Sequence, residues 1–203
     1  MVSLGLMTGN CYFFQIPADL GSRLQALFRL SSEPKTLDQL GELLQERNKK
    51  CLEEPRLKTY FQAILNGENI FGQVDYKTTH TTRLLDGRRV CVACALDALV
   101  EGFFLPIVIG SVCFHCDEPI RIRMSKGNIK SAKPSSTVMW LGARRESVGS
   151  CCDDICPYIN FFSSAEHVAE WKCKNPNEIG VMLTLQQGLE LARKGYWEPI
   201  HLL

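Results

Sequence analysis

Long uncharged hydrophobic runs are missing from this chain: the most apolar stretch, Ala98 to Val112, is broken by Glu101 and Pro106 and is too short to cross a bilayer comfortably. An excess of either charge is missing as well. Lys+Arg 23 against Asp+Glu 22 leaves a net charge of +1 over 203 residues, so no global field draws the protein to nucleic acid or to an anionic membrane. No basic residue precedes the apolar residues of Met1-Val2-Ser3-Leu4-Gly5-Leu6-Met7, which is the wrong layout for a secretory signal. These shortages predict a cytoplasmic protein whose partners are small molecules or proteins, with neither a membrane nor a nucleic acid among them. A content of 45% hydrophobic and 22% charged residues is enough for a full core, and the length fits one domain with a small companion.

Cysteine, by contrast, is abundant. Ten occur, and in a reducing cytosol they serve packing, metal binding or reactivity in place of disulfides. Cys11 and Cys51 stand alone and read as small buried hydrophobes. The other eight fall between positions 91 and 173, so any thiol chemistry belongs to the C-terminal two-thirds.

Leu20, Leu24, Leu27 and Phe28 recur at helical spacing before Ser31-Ser32-Glu33-Pro34 ends the run. Thr36 can cap a second helix with Leu37, Leu40, Leu43 and Leu44 on one face, and Pro55 opens a third that buries Leu57, Phe61, Ile64 and Leu65 before Asn66-Gly67. Strand-like stretches follow at Phe71 to Tyr76 and Thr79 to Leu85, and Asp86-Gly87 suggests a hairpin into Arg88 to Ala93. Three helices and a hairpin outline a winged-helix-like module over residues 1–83. Its third helix offers only Arg56 and Lys58, too few clustered cations to track phosphates, so packing against the second domain is the preferred role.

Beyond the helix that follows Ala93, strands are expected at Ser111 to Phe114, Ile120 to Met124 and Thr137 to Leu141, and Ser125 to Ser136 reads as a polar loop. Ser163 and Glu166 make a capping-box pattern for a helix through Trp171, and Gly180 to Leu185 leads into a last helix ending near Lys194-Gly195. Helices and strands mix without regular βαβ alternation, so the fold class is α+β: the N-terminal module, then a mixed, mainly antiparallel sheet with flanking helices over residues 84–203.

The stretch Val90-Cys91-Val92-Ala93-Cys94-Ala95-Leu96-Asp97 runs from an alternating strand into a helix at Cys94. A thiol there meets the positive end of the helix dipole, which predicts a lowered pKa. Asp97, three residues on, shares the helix face and can reach the same cavity. A thioredoxin-like pair, Cys91 with Cys94, lacks the βαβ context such sites have. The bland alternative is a buried strand cysteine followed by a capping aspartate.

Cys94-Ala95-Leu96-Asp97, preceded by Arg88-Arg89 and followed by Leu105-Pro106-Ile107-Val108-Ile109-Gly110, resembles the organomercurial (alkylmercury) lyase family. Cys113-Phe114-His115-Cys116-Asp117-Glu118-Pro119-Ile120 is similar to its cysteine-bearing hairpin, and Cys156-Pro157-Tyr158-Ile159-Asn160-Phe161-Phe162-Ser163 to its second catalytic-cysteine segment. The likeness covers roughly residues 84 to 185 and rests on order, spacing and context in three segments. Here Pro157-Tyr158 stand where the family usually has Cys-His, and Cys151-Cys152 lie a few residues earlier. Register from the Phe161-Phe162 pair selects Cys156, whereas the doublet would select Cys151 or Cys152.

The resemblance implies protonolysis of carbon–mercury bonds, giving a hydrocarbon and Hg(II). Cys94 and Cys156 would bind the soft metal and Asp97 would handle the proton, all three standing against mercury. Leu96, Leu99 and Phe103 could keep the acid dry and partly neutral. No stored cofactor is required on this reading, and the product ion passes to small thiols or a mercuric reductase. Cys113 and Cys116 have the spacing of half a zinc site that Cys151, Cys152 or Cys173 could complete. His115 reads as a turn residue, and His80, His167 and His201 as exposed. The alternative function on the same fold is a non-enzymatic, cysteine-rich carrier of copper or zinc.

Overall fold

The structure, a computed structural model, describes residues 36–143 and 155–201. The expected first helix at Leu20 to Phe28, and Cys11, Cys151 and Cys152, lie outside the described residues. Thr36 caps α1 (Leu37–Cys51), its side-chain oxygen accepting the Gln39 amide. Leu37, Leu40 and Leu44 are buried as their spacing requires. Pro55 opens α2 (Pro55–Leu65), which buries Phe61 and Ile64; Leu57, expected inside, is exposed.

Short strands β1 (Gln73–Val74), β2 (Thr81–Arg83) and β3 (Arg89–Val92) then form. The β2–β3 hairpin closes through Asp86-Gly87: Gly87 has φ 86°, and the Asp86 carboxylate accepts the Arg88 amide. Residue 94 begins α3 (Ala95–Phe104), after which come β4 (Ile107–Val112), β5 (Pro119–Ser125), β6 (Asn128–Lys133) and β7 (Val138–Ala143). A 3-10 turn over Cys156–Tyr158 enters β8 (Ile159–Phe162), followed by α4 (Ala165–Lys174), β9 (Ile179–Thr184), α5 (Leu185–Ala192) and the short α6 (Glu198–His201). The architecture is α+β as expected. One antiparallel sheet has the order β1-β3-β2-β4-β5-β6 and a smaller one the order β8-β7-β9.

Several expected boundaries move for physical reasons. The segment read as a loop, Ser125 to Ser136, holds β6, paired to β5 through Lys126-Gly127, both at positive φ. As the last strand of its sheet, with lysines at 130 and 133, β6 carries no apolar alternation to announce it. The strand expected at Ser111 to Phe114 lies earlier, at Ile107–Val112, because Cys113 already begins a turn. The helix cap is Ser164, which accepts the His167 amide, in place of Ser163. After Ala192 the last helix widens to an i→i+5 turn over Arg193–Trp197 and continues to His201. That extension packs on α1, where the Asn48 amide donates to the Gly195 carbonyl at 2.6 Å and Lys194 pairs with Asp38.

Helix α3 is the centre of the molecule. It contacts β3, β4 and β5 of the larger sheet, β8 of the smaller one, and α5. Ala95, Leu96, Ala98, Leu99, Val100, Glu101 and Gly102 are all buried, so this helix is apolar nearly all round, as a helix enclosed by protein should be. Each fully buried leucine contributes roughly 1.5–3 kcal/mol relative to exposure. Leu99→Ala, at a fully buried position, should lower the unfolding free energy by about 2–5 kcal/mol in urea denaturation. A loss below about 1 kcal/mol would mean that α3 does not occupy the core.

Candidate active site

The chain leaves β3 at Val92, passes Ala93 and turns into α3 at Cys94, whose extended backbone (φ −153°, ψ 174°) makes it the N-cap. The Ala93 amide donates to the Gly72 carbonyl at 2.9 Å, fixing that entry. The Cys94 sulfur accepts the Asp97 amide at 3.4 Å, so a thiol occupies the place where serine or aspartate usually caps a helix. The same sulfur donates to Asp97 Oδ2 at 3.2 Å. Cys156, 62 positions on in the sequence, arrives on the 3-10 turn before β8, and the ligand atoms of Cys94, Asp97 and Cys156 all lie within 4.8 Å of one another. Cys91 is not part of that cluster, and none of the described cysteines is in a disulfide.

The site is nearly dry. Cys94 is 2% and Cys156 8% exposed, and Asp97 keeps only a partly accessible edge. Burial pushes the Cys94 thiol up to about 11, with the neighbouring Asp97 carboxylate adding to the rise; a hydrogen bond with Cys156 and the Asp97 amide only partly oppose it. This corrects the lowered thiol pKa expected from the helix dipole: loss of water around a thiolate outweighs the dipole when the cap is sealed. Burial also pushes Asp97 up to about 6, moderated by the hydrogen bond with Cys94. Near neutral pH the resting pair is therefore a protonated thiol donating to a carboxylate that is ready to take its proton.

Two supports for this pair were not read from the sequence. Glu101 lies one helical turn beyond Asp97, and its Oε2 accepts the Phe71 amide at 2.8 Å. Among the described residues its other oxygen is buried without a hydrogen-bond partner, and burial raises the carboxyl to about 7. The held segment, Phe71-Gly72, lies across Asp97. Gly72 has φ 66°, and a Cβ there would come within 2.5 Å of the Asp97 Cβ, so glycine alone permits the approach. Tyr60 hydrogen-bonds to the Gly72 backbone at the same place, its hydroxyl pKa raised first by burial.

His80, expected to be exposed, is 2% exposed. Its Nε2 lies 3.2 Å from Asn160 Oδ1, its Nδ1 lies 2.9 Å from Ser111 Oγ, and the Asn160 amide donates to the Pro157 carbonyl at 2.8 Å. That pattern assigns the proton to Nε2, because the Asn160 side-chain nitrogen is already donating. Burial holds the ring neutral, with a pKa lowered to about 4. A neutral histidine thus fastens the residue after Cys156 to β2 and β4. Isolated histidine in a polar-looking segment gives no sequence signal for this; the alternation of Thr81 to Arg83 could have placed position 80 on a sheet face, but not shown that face to be covered. His201 is exposed as expected, whereas His167 is half-buried.

The family model for alkylmercury lyase matches residues 75–196, well over half of the chain. The chain belongs to the alkylmercury lyase family. It is 30% identical over 115 residues to the alkylmercury lyases of Bacillus cereus and of Clostridium butyricum, a match covering 54% of this chain and 50% of each relative. The chain thus spans about half the length of the curated relatives it matches. The fold is similar to that in the crystal structure of the mercury-bound form of MerB2, with a TM-score of 0.54 and 19% identity over 91% of this chain and 93% of that one. The family-matched region contains Cys94, Asp97 and Cys156.

The raised carboxyl pKa fixes the sign of a pH effect on stability. Between about 3.8 and about 6 the folded protein retains a proton on Asp97 that the unfolded chain has released, so this group's contribution falls as pH rises through that window, and the full cost is present above it. Asp97→Asn should therefore unfold at higher denaturant than the parent at pH 8, by on the order of 1–3 kcal/mol, with the gap closing toward pH 4. Equal stability of the two proteins at pH 8, or a gap that widens toward pH 4, would contradict a carboxylate held against its hydration.

Proposed function

We propose that this protein cleaves carbon–mercury bonds by protonolysis, with Cys94 and Cys156 as the sulfur ligands of mercury and Asp97 as the group that moves the proton. The observation that carries the reading is the Cys94 thiol donating to Asp97 at 3.2 Å with the Cys156 sulfur in the same cluster. Family membership and the mercury named for the structurally similar MerB2 support it.

A carbon–mercury bond resists water because its leaving group is a carbanion, so mercury must receive electron density as carbon receives a proton. An organomercurial carried by a small thiol exchanges that thiol for one protein cysteine, and the displaced thiolate leaves with that cysteine's proton. The second protein thiol gives its proton to the Asp97 carboxylate as its sulfur binds mercury. Two thiolates raise the charge at the metal; the carbon–mercury electron pair then goes to carbon, which takes the proton from Asp97. The balance is one hydrocarbon, one Hg(II) held by two sulfurs, and Asp97 returned to the carboxylate. An acid near pKa 6 suits both halves of this transfer, being able to accept from a metal-bound thiol and to donate to a developing carbanion.

The Hg(II) product leaves to small thiols or a mercuric reductase in the cytoplasm. No helix among the described residues is long and apolar enough to cross a membrane. On this reading the reacting groups all lie within the unit expected over 84–203, while β1 and β2, from the lead-in expected over 1–83, complete the larger sheet beside β3 and β4.

Cys94→Ser and Cys156→Ser should each reduce benzene release from phenylmercury, assayed in excess thiol, by more than about a thousandfold, as for residues that act as a unit. Normal turnover in Cys156→Ser with loss in Cys151→Ser or Cys152→Ser would move the second sulfur to the doublet. Copper or zinc held stoichiometrically by Cys94 and Cys156, with no benzene release from the unaltered protein, would replace the lyase by a metal carrier.

A further inference from the structure

A second cluster of soft ligands lies outside the site described above. The turn from β4 to β5 carries Cys113 and Cys116, and α4 carries His167 opposite them. His167 Nδ1 stands 3.5 Å from the sulfur of Cys113 and 3.5 Å from that of Cys116, and the three ligand atoms lie within 4.8 Å of one another. We propose that Cys113, Cys116 and His167 Nδ1 form a site for a divalent d10 ion of the zinc type, with one position left toward solvent.

The geometry matches that ion closely. Zinc–sulfur bonds of about 2.3 Å and zinc–nitrogen bonds of about 2.0 Å, meeting at a tetrahedral angle, hold sulfur and nitrogen about 3.5 Å apart. Both observed separations have that value. The turn is also shaped for two sulfurs on one side. The Cys113 amide donates to the Glu118 carbonyl at 2.8 Å and the Asp117 amide to the Cys113 carbonyl at 2.9 Å, while Asp117 takes φ 60° directly after the second cysteine. Backbone hydrogen bonds from Ser163, His115 and Cys116 converge on the Cys113 sulfur and one from Glu118 on the Cys116 sulfur, the kind of support that holds metal ligands in place.

Ser163 Oγ contacts Nδ1 at 2.6 Å. An incoming ion takes its place on the nitrogen and leaves the hydroxyl to the Cys113 sulfur. The imidazole binds in its neutral form, and the two thiols release their protons to the buffer. His115, whose ring centroid is 5.5 Å from that of His167, is held by Glu170 at 3.0 Å and adds a carboxylate–histidine pair beside the site. Cys116 is exposed, which gives the ion a path of entry.

Such an ion would tie α4 to the β4–β5 turn, where the Phe114 amide already donates to the Phe161 carbonyl of β8 at 3.0 Å. Strand β8 begins one residue after the turn that presents Cys156. The site is therefore placed to fix the register of that strand, and it does not depend on the reaction assigned to Cys94.

The test uses the full chain, reduced, stripped with a chelator and titrated with Co(II), whose thiolate charge-transfer and tetrahedral d–d bands report the ligands. One equivalent should bind with both sets of bands in the unaltered protein and equally in the doubly substituted Cys94→Ser, Cys156→Ser protein, whether or not the lyase reading holds. Cys116→Ser, at an exposed position that leaves folding intact by circular dichroism, should lose the charge-transfer intensity of one thiolate and weaken binding by more than about tenfold, as should His167→Ala in affinity. Absence of the bands in the unaltered protein, bands untouched by Cys116→Ser, or bands lost with Cys94 and Cys156 would each overturn the site.

Discussion

A thiol and a carboxyl share one hydrogen bond at the sealed start of a helix, and the chemistry assigned to this protein depends on keeping water away from them. With Cys94 near 11 and Asp97 near 6, the proton rests on sulfur. A buried thiol of this kind is a poor nucleophile toward ordinary electrophiles, since thiolate character governs cysteine reactivity. A soft metal changes the balance, because coordination stabilises the thiolate directly and the proton has a partner 3.2 Å away. On the proposed function, selectivity for a soft cation would follow from the dryness of the site as much as from the identity of its ligands.

The fold secures that condition from two sides. On one, Glu101 holds the Phe71 amide and Gly72 presses its backbone against Asp97, so the acid is covered by main chain. On the other, His80, Asn160 and Pro157 form a hydrogen-bonded chain that anchors the turn bearing Cys156 to the larger sheet. The central helix gives Cys94 and Asp97 their mutual geometry within four residues, but Cys156 reaches them only because β8 packs on the same helix. A Glu101 oxygen buried without a hydrogen-bond partner among the described residues is an expensive feature, the kind of local conflict that a functional site sustains while the surrounding core supplies the stability.

Parts of this were legible in the sequence and parts were not, along a clear physical line. Features fixed by near neighbours were legible: the Thr36 cap, the Asp86-Gly87 turn, the strand-to-helix switch at Cys94 and the three-residue step to Asp97. Cys156 could be named only through resemblance and the Phe161-Phe162 pair, because nothing local says which distant segment will meet Cys94. The thiol pKa was misjudged because the helix dipole is visible in a sequence while the depth of burial is not. His80 and His167 were misplaced for the same reason, and Glu101 registered only as an interruption in an apolar run. Strand β6 was hidden because an exposed edge, half lysine and serine, shows no alternation for the eye to find.

Two sulfurs from distant parts of the chain sharing one mercury is the claim that mercury L-edge X-ray absorption tests most directly. With the competing two-sulfur cluster disabled by Cys116→Ser, after turnover with one equivalent of phenylmercury and removal of small thiols, the spectrum should show mercury bound by two sulfurs from the protein, and in the same background carrying Cys156→Ser and loaded with Hg(II) only one. A two-sulfur shell that persists unchanged in both Cys94→Ser and Cys156→Ser would place the metal elsewhere and contradict the account.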